Sequence, residues 1–292
     1  MRHQFVSICL LSIAAKVCSA TPVVLHIDNT HSSIQFSVPF FGVSEVTGRF
    51  ERFCGQFYLD ETTMEASTIE LFIDASSINT GLKIRDRDLV EKYLVSKDYP
   101  LIHYKSKSVR LIRRNQFDVI GDLRLHGVTK EMRITLVTIG DIINSDNARE
   151  LGLKLEPLRI NRTDHGIMEG AFGSSSVGDT VTVSAVIRVR DVTPYRKDVD
   201  AQYPEKNSHL SIPFAGSFVS DSRSRIDLIA DGGNYFLSFS DEDWSWFAQA
   251  RMVGPRLFKL LSFGDLVELT ADALIYTKPD AEPERFTKLV KK

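Results

Sequence analysis

The sequence predicts an all-β fold, an antiparallel barrel or sandwich with one inserted helix. Apolar and polar residues alternate with a period of two through most of residues 25–192, which is typical of strands with one buried face. About eight such segments follow one another at short spacing, separated by turns rich in Gly, Asp, Asn and Ser. No glycine-rich phosphate loop follows any of the predicted strands, which argues against a nucleotide-binding fold.

The first predicted strand shows the clearest alternation. Ile34, Phe36, Val38 and Phe40 are separated by polar or small residues, so these four side chains share one face. Two segments repeat the pattern, with apolar or small positions at Phe53, Gly55, Phe57 and Leu59 and then at Ile69, Leu71 and Ile73. Five further strands are predicted at 101–109, 117–125, 131–139, 151–160 and 181–189.

Residues 82–94 break the alternation and predict a helix. Their spacing places one set of residues near a single face, namely Leu82, Asp86, Leu89, Val90, Tyr93 and Leu94. Asn79 and Thr80, just upstream, are residue types that cap helices. Asp86 then lies on the apolar stripe with Arg85 beside it. Two interpretations stay open: an ion pair between helix and barrel, or binding of an anionic headgroup by the Arg85 guanidinium.

After residue 192 the sequence changes character. Residues 193–213 carry three of the ten prolines and many charges, which predicts a linker. Alternation returns at 225–229, 235–239, 257–261 and 266–275, with a hairpin turn at 231–234, so residues 214–292 form a smaller β-rich domain. We favour a domain that packs on the barrel; the alternative is a partner-binding module anchored by Trp244 and Trp246.

The N-terminus is typical of an export signal. Residues 1–20 combine an early Arg2, an apolar run and a small residue at Ala20, and the run is too short to span a membrane. We therefore expect a periplasmic or secreted protein without a transmembrane segment. Cys54 is then the one cysteine of the mature chain, so no intrachain disulfide can form, and its apolar neighbours indicate a buried thiol.

Composition and motifs point away from several function classes. The 36 basic residues nearly balance the 38 acidic ones, which excludes the basic footprint of a nucleic-acid-binding protein. The seven histidines have no metal-ligand spacing, and no Gly-x-Ser-x-Gly elbow is present. We therefore predict no catalytic residues, no metal and no cofactor. A binding protein remains, whose barrel is either filled by side chains or open around an elongated apolar ligand.

Eight stretches, in order, carry a resemblance to a known family. They are HIDNTHSSIQFSV, FGVSEVTGRF, FCGQFYLD, IDASSINTG, IRDRDLVEKYLVSKDYPLIHYKS, GDLRLHGVTKEM, INRTDHG and VGDTVTVSAVI. The chain resembles the YceI-like family of secreted lipid-binding proteins across about residues 25–190. The resemblance implies a lipocalin-like eight-stranded barrel, over residues 21–192, that holds a long polyisoprenoid or similar amphiphile. It favours a cavity over a filled core and places Arg85 and Asp86 at the ligand mouth.

These arguments give one main hypothesis and one rival. The main hypothesis is an exported protein that transports, stores or sequesters an isoprenoid lipid or isoprenoid quinone without covalent chemistry; we also consider a homodimer. The rival is an envelope interaction module with a filled barrel and a partner-binding C-terminal domain. The candidate ligand-binding residues are Ile34, Phe36, Val38, Phe40, Phe50, Phe57, Leu71, Asn79, Thr80, Arg85, Asp86 and Leu89.

Overall fold

A computed structural model gives the architecture of most of the chain. It describes residues 22–167, 176–194, 216–220, 224–231, 233–241, 245–253, 257–261, 265–269, 273–277 and 283–288. The predicted export signal at 1–20 and nearly all of the predicted linker lie outside the described residues.

The first part of the chain forms a closed eight-stranded antiparallel barrel. Its strand order is β1-β4-β5-β7-β8-β9-β10-β11, and pairing of β1 with β11 closes it, while β2, β3 and β6 continue the sheet from β11. The strands are β1 Val23–Ile27, β2 Ser33–Phe40, β3 Ser44–Phe50, β4 Phe53–Leu59, β5 Thr68–Asp74, β6 Ile78–Asn79, β7 Leu101–Arg113, β8 Gln116–Leu125, β9 Val128–Ile143, β10 Arg149–Asn161 and β11 Thr180–Asp191. The predicted barrel is confirmed. Strands β7 to β11 are longer at one or both ends than the segments that the alternation predicts.

Strand β11 pairs with two consecutive strands. Its last residues lie against β1, whereas Thr182 to Val186 lie against β2. A short 3₁₀ turn, Asn29–His31, separates β1 from β2, so the two strands act as one bent strand. We call the end of the barrel at the β2–β3 turn the upper end, and the end at the β9–β10 turn the lower end.

The predicted helix is present but shorter than expected. Helix α1 spans Lys83–Asp88 and continues into a π-helical turn at Leu89–Tyr93. Leu82 and Ile84 are 49% and 58% exposed, so the buried stripe begins only with the π-helical turn, which packs on the barrel core. Asn79 and Thr80 are not the caps: Leu82 holds the N-cap position and makes no side-chain cap bond.

The C-terminal part is a second closed barrel of eight strands in meander order. Its strands are β12 Gly216–Val219, β13 Arg225–Asp231, β14 Asn234–Ser240, β15 Ser245–Met252, β16 Leu257–Leu260, β17 Leu266–Leu269, β18 Ala273–Thr277 and β19 Glu284–Lys288. The single strand predicted at 266–275 is two strands. Trp246 is buried and its ring stacks on Phe239 at 5.5 Å, so it cannot anchor a partner; Trp244 lies outside the described residues.

The second barrel packs on the outer face of β4, β5, β7 and β8. Phe72 lies between His103 of its own barrel, 4.3 Å away between ring centroids, and Phe236 of the second barrel at 4.7 Å. The Ser238 hydroxyl donates to the buried Asp74 carboxylate at 3.0 Å, and Arg124 pairs with Asp231. This arrangement agrees with the favoured interpretation of a domain that packs on the barrel.

Candidate functional site

The inner wall of the first barrel is built from rows of apolar side chains across neighbouring strands. One row runs Leu158, Val183, Phe36 and Gly48, because these residues are direct partners on β10, β11, β2 and β3. The next row towards the lower end contains Leu155, Ala185, Ile34, Phe50 and Ile78. Residues that pair directly share one face of a sheet, so each row is a continuous apolar strip.

The row through Phe36 is only partly buried. Leu158, Val183, Phe36 and Gly48 are all partly accessible, whereas Ile34 and Ala185 in the next row are buried. Inward-facing side chains of a filled barrel are normally close-packed. Partial access to this row therefore indicates open space inside the upper half of the barrel.

Gly48 allows the Phe36 ring to lie flat against the wall. A Cβ at Gly48 would come within 2.5 Å of the Phe36 ring and 2.9 Å of the Thr80 methyl group. Any side chain here would push the ring into the interior. Gly48 and Phe36 also connect the apolar wall to Thr80, where the polar part of the site begins.

A second space lies in the lower half of the barrel. It is small: its enclosed part measures about 20 Å³, roughly the space that one water molecule needs. Its lining is almost entirely apolar and comprises Leu25, Phe57, Tyr58, Leu59, Ser67, Thr68, Ile69, Val109, Phe117, Leu136, Leu151 and Leu153. The lower half of the barrel is thus nearly filled by its own apolar side chains.

Arg85 and Asp86 are both directed at Thr80. The Asp86 carboxylate accepts hydrogen bonds from the Thr80 backbone at 2.8 Å and from its hydroxyl at 2.5 Å. The Arg85 guanidinium donates to the Thr80 hydroxyl at 2.7 Å and to its carbonyl at 2.9 Å. The two charged residues therefore fix the turn between β6 and α1.

Asn79 extends this polar cluster to β3. Its amide nitrogen donates to Glu51 at 2.7 Å, and its oxygen accepts from the Gly81 backbone at 2.8 Å. Arg49 donates to the same Glu51 carboxylate at 3.0 Å. The cluster gives the upper end a fixed set of charged and polar groups beside the apolar wall.

Arg162 organises the other side of the upper end. This buried guanidinium donates to the carbonyls of Ile167, Val177 and Gly178 at 2.9, 3.2 and 3.1 Å and pairs with Asp179. Its contacts tie together the two described chain segments that flank residues 168–175.

Two buried groups have raised pKa values. Burial raises the pKa of the Tyr104 hydroxyl, which faces inward and donates weakly to backbone carbonyls. Burial also raises the pKa of the Cys54 thiol, which lies between the two barrels. Both groups stay protonated at neutral pH, so neither is an activated nucleophile. The predicted burial of Cys54 is confirmed.

The predicted site residues fall into three groups. Ile34, Phe36, Val38 and Phe40 share one face of β2, and Phe50, Phe57, Leu71 and Leu89 contact the same core. The polar residues Asn79, Thr80, Arg85 and Asp86 form the cluster at the upper end. Phe57 lines the lower space and does not belong to the upper wall.

The sequence reasoning missed much of the wall. The missed residues are Ile69, Val109, Phe117, Leu136, Leu151, Leu153, Leu158 and Val183. Alternation places most of these positions on the inner face of their strands, and applying it as in β2 would have found them. Val109 and Leu158 are exceptions, because β-bulges after Ser106 and after Leu155 shift the phase of the alternation.

A closed eight-stranded antiparallel barrel with an apolar interior defines a class, the small antiparallel barrels, whose interior is filled by side chains or holds one small ligand. The family model of the YceI-like domain matches residues 25–189, more than half of the chain, and the protein therefore belongs to the YceI-like family. The matched residues end before the second barrel.

Curated relatives cover part of the first barrel. A UPF0312 protein of Shewanella denitrificans is 33% identical over 124 residues, which are 42% of this chain and 65% of that protein. A UPF0312 protein of Vibrio parahaemolyticus is 32% identical over 122 residues, 41% of this chain and 65% of that protein. The chain thus spans less than two thirds of the length of these relatives.

Solved structures show similarity at lower identity. Burkholderia cenocepacia BcnA is 18% identical with a TM-score of 0.49, covering 56% of this chain and 98% of that one. A polyisoprenoid binding domain from Saccharophagus degradans is 18% identical with a TM-score of 0.46, covering 59% of this chain and 99% of that one. Within the described ranges of our chain, helices long and apolar enough for a membrane span are absent.

Proposed function

We propose that this protein binds a long isoprenoid lipid in the first barrel and transports, stores or sequesters it. The observation that carries the proposal is the partly accessible apolar row on the inner wall, which comprises Leu158, Val183, Phe36 and Gly48. Membership of the YceI-like family, whose members are expected to hold such amphiphiles, supports it.

The ligand is elongated because the apolar wall is elongated. This wall extends from Val38 near the upper end through Phe36 and Ile34, and the lower space begins at Leu25 and Leu153. Each methylene-sized group removed from water contributes about 0.8 kcal/mol. A chain of several isoprene units therefore gains more from this wall than from any single polar contact.

The headgroup lies at the upper end, beside the Thr80 cluster. Arg85 is held by two hydrogen bonds to Thr80, which fixes the plane of a guanidinium that suits phosphate oxygens. Quinone carbonyls would also accept from it. A polyprenyl phosphate and an isoprenoid quinone are thus the two ligand types to compare.

The protein acts by binding and performs no reaction. Tyr104 and Cys54 are kept protonated by burial, and the polar residues at the upper end are engaged in structural hydrogen bonds. The sequence of residues 1–20 supports export, so we place this activity in the periplasm or outside the cell.

The test fills the upper interior with one side chain. Val183→Trp places an indole opposite Phe36, and Val183→Phe is a milder variant. The matched control is Val186→Trp, because Val186 lies on the same strand but is exposed on the outer face. After incubation with polyprenyl phosphate or ubiquinone, bound lipid is measured by solvent extraction and mass spectrometry.

The expected result is a loss of bound lipid by about tenfold or more in both Val183 variants, with Val186→Trp like the wild type. Circular dichroism establishes that each variant is folded. Lipid levels that do not respond to a folded Val183 variant would refute an interior site. Absence of any bound lipid in the wild type would favour the rival interaction module with a filled barrel.

A further inference from the structure

The upper end of the first barrel exposes several large apolar side chains on two separate segments. Phe41 and Val43, in the β2–β3 turn, are 56% and 87% exposed, and Leu82 and Ile84, at the start of α1, are 49% and 58% exposed. Isolated exposed apolar residues are common on protein surfaces. We call these four residues at the upper end of the first barrel the apolar rim.

The register of β3 places both segments of the apolar rim at the same end. Asn79 pairs with Arg49 in the antiparallel β3–β6 ladder, so the chain after Asn79 runs back along β3 towards the β2–β3 turn. Thr80 lies beside Gly48. Gly81, with a φ of 77°, then bends the chain into Leu82 and α1.

Phe41 is held in its exposed position by the backbone. Its φ of 51° lies in the left-handed region, which residues other than glycine rarely adopt. The Phe41 amide donates to the Ser176 carbonyl at 2.7 Å, and the Gly178 amide donates to the Pro39 carbonyl at 2.8 Å. The Phe41 ring packs edge-on against Phe40, with centroids 4.6 Å apart. An unfavourable conformation is thus fixed from both sides.

Backbone strain in the described part of the first barrel concentrates at this end. Among its described residues, the non-glycine positions with positive φ are Phe41, Val95, His126 and Asn147. Phe41 and Val95 lie at the upper end, in the β2–β3 turn and after the π-helical turn. His126 and Asn147 lie in the β8–β9 and β9–β10 turns, and the positive φ of His126 is the normal geometry of a two-residue hairpin turn. Such strain persists where the surrounding structure enforces it and often marks functional sites.

We propose that the apolar rim docks on the surface of a lipid bilayer. The proposal rests on the proposed function, because a ligand with a long apolar chain resides in membranes and the rim continues directly into the wall that would hold it. The rim residues lie on two separate segments, the β2–β3 turn and the start of α1. Lys83 and Arg87 are exposed on α1, next to Leu82 and Ile84 in the sequence, and basic side chains beside apolar ones suit the headgroup region of a bilayer.

The test uses vesicles of phosphatidylethanolamine and phosphatidylglycerol and measures the fraction of protein that co-sediments with them. The variant is Phe41→Asn with Val43→Ser, because asparagine tolerates the left-handed conformation and keeps the turn intact. The matched control is Ile142→Ser with Ile143→Ser, since these two residues are 58% and 61% exposed at the opposite, lower end.

We expect the rim variant to lose vesicle binding by about tenfold or more, while the control variant binds like the wild type. Uptake of isoprenoid from a detergent solution, which bypasses the bilayer, stays at the wild-type level in both. The docking proposal is overturned if the wild-type protein fails to co-sediment with the vesicles. That result is expected if the rim binds a protein partner instead of a bilayer. Equal binding by the rim variant, or an equal loss in the control, overturns the proposal as well.

Failure of docking and failure of the proposed function give different results. If uptake from detergent remains and vesicle binding is absent, the proposed function stands and the docking surface is rejected. If the wild type takes up no isoprenoid from either source, the proposed function itself is rejected.

Discussion

Arg188 connects three parts of the first barrel. From β11 its guanidinium donates to Asp28, after β1, at 3.0 Å and to Glu150 on β10 at 2.6 Å. The hydrogen bond from Arg188 is the main reason why the pKa of Glu150 lies below its ordinary value, with the Asn144 amide adding to the effect. A mostly buried ion pair of this kind stabilises the fold only while the carboxylate is charged.

This pair predicts a specific acid sensitivity. Because the folded pKa of Glu150 is lowered, its contribution to stability is present above the unfolded value of about 4.3 and is lost as the pH falls through the folded value. Glu150→Gln is expected to cost about 1–3 kcal/mol at neutral pH, and the difference from wild type should shrink below about pH 4. Urea unfolding at several pH values measures this.

Glu156→Gln on the same strand is the control, because Glu156 is exposed. It should follow the wild-type stability at every pH. If the gap between Glu150→Gln and the wild type stayed constant from neutral to acid pH, the link between Arg188 and the charge of Glu150 would be wrong.

At the scale of single elements, the β8–β9 turn is defined by its two central residues. Leu125 pairs with Val128, and His126 and Gly127 between them have φ values of 51° and 76°. Positive φ at both central residues is the type I′ geometry that matches the twist of a hairpin. A Cβ at Gly127 would lie 2.5 Å from the Tyr99 ring, so glycine is required both for its conformation and for its size.

Gly127→Ala is therefore expected to destabilise the protein by about 2 kcal/mol or more, from the left-handed conformation and the clash together. Gly140→Ala on β9 is the control, because a Cβ there meets open space. Its cost should be within about 0.5 kcal/mol. Equal unfolding midpoints in urea for the two variants would contradict this description of the turn.

The elements show why some parts of the fold follow from the sequence. Strand β2 alternates because one face meets the barrel interior and the other meets solvent. Strand β15 was not predicted because both of its faces are buried, so its sequence does not alternate. Trp246 and Ala248 face the core of the second barrel, while Phe247 packs between the two barrels. Adjacent Leu71, Phe72 and Ile73 on β5 are apolar for the same reason, and such a run was a usable indication of a second packed surface.

The candidate site was predictable only in part. The apolar wall follows from alternation because it depends on local periodicity. The bonds from Arg85 and Asp86 to Thr80 depend on where the chain turns between β6 and α1, which no local pattern specifies. The segment folds back because the Asp86 carboxylate accepts hydrogen bonds from both the amide and the hydroxyl of Thr80. The spacing of these two residues in the sequence is compatible with several other geometries as well.

At the scale of the whole molecule, the two barrels share one apolar contact. Cys54, Phe72 and Leu101 of the first barrel meet Phe236 and Phe247 of the second, and all five are buried. Polar contacts surround them, including Gln56 with Gln249 at 3.1 Å. Strand β5 therefore presents Leu71 to the interior of the first barrel and Phe72 to the second barrel, which lies directly behind this wall.

This contact predicts that a substitution in the first barrel weakens the second. Both tryptophans of the chain, Trp244 and Trp246, belong to the C-terminal half, so tryptophan fluorescence reports unfolding of the second barrel while circular dichroism reports both. Phe72→Ala leaves a cavity against Phe236 and should cost about 3–5 kcal/mol. Its fluorescence transition should shift to lower urea together with the circular dichroism transition, whereas the exposed-site control Val186→Ala should shift neither. A fluorescence transition unchanged in Phe72→Ala would mean that the second barrel draws no stability from the first, and the two would then behave as independent domains.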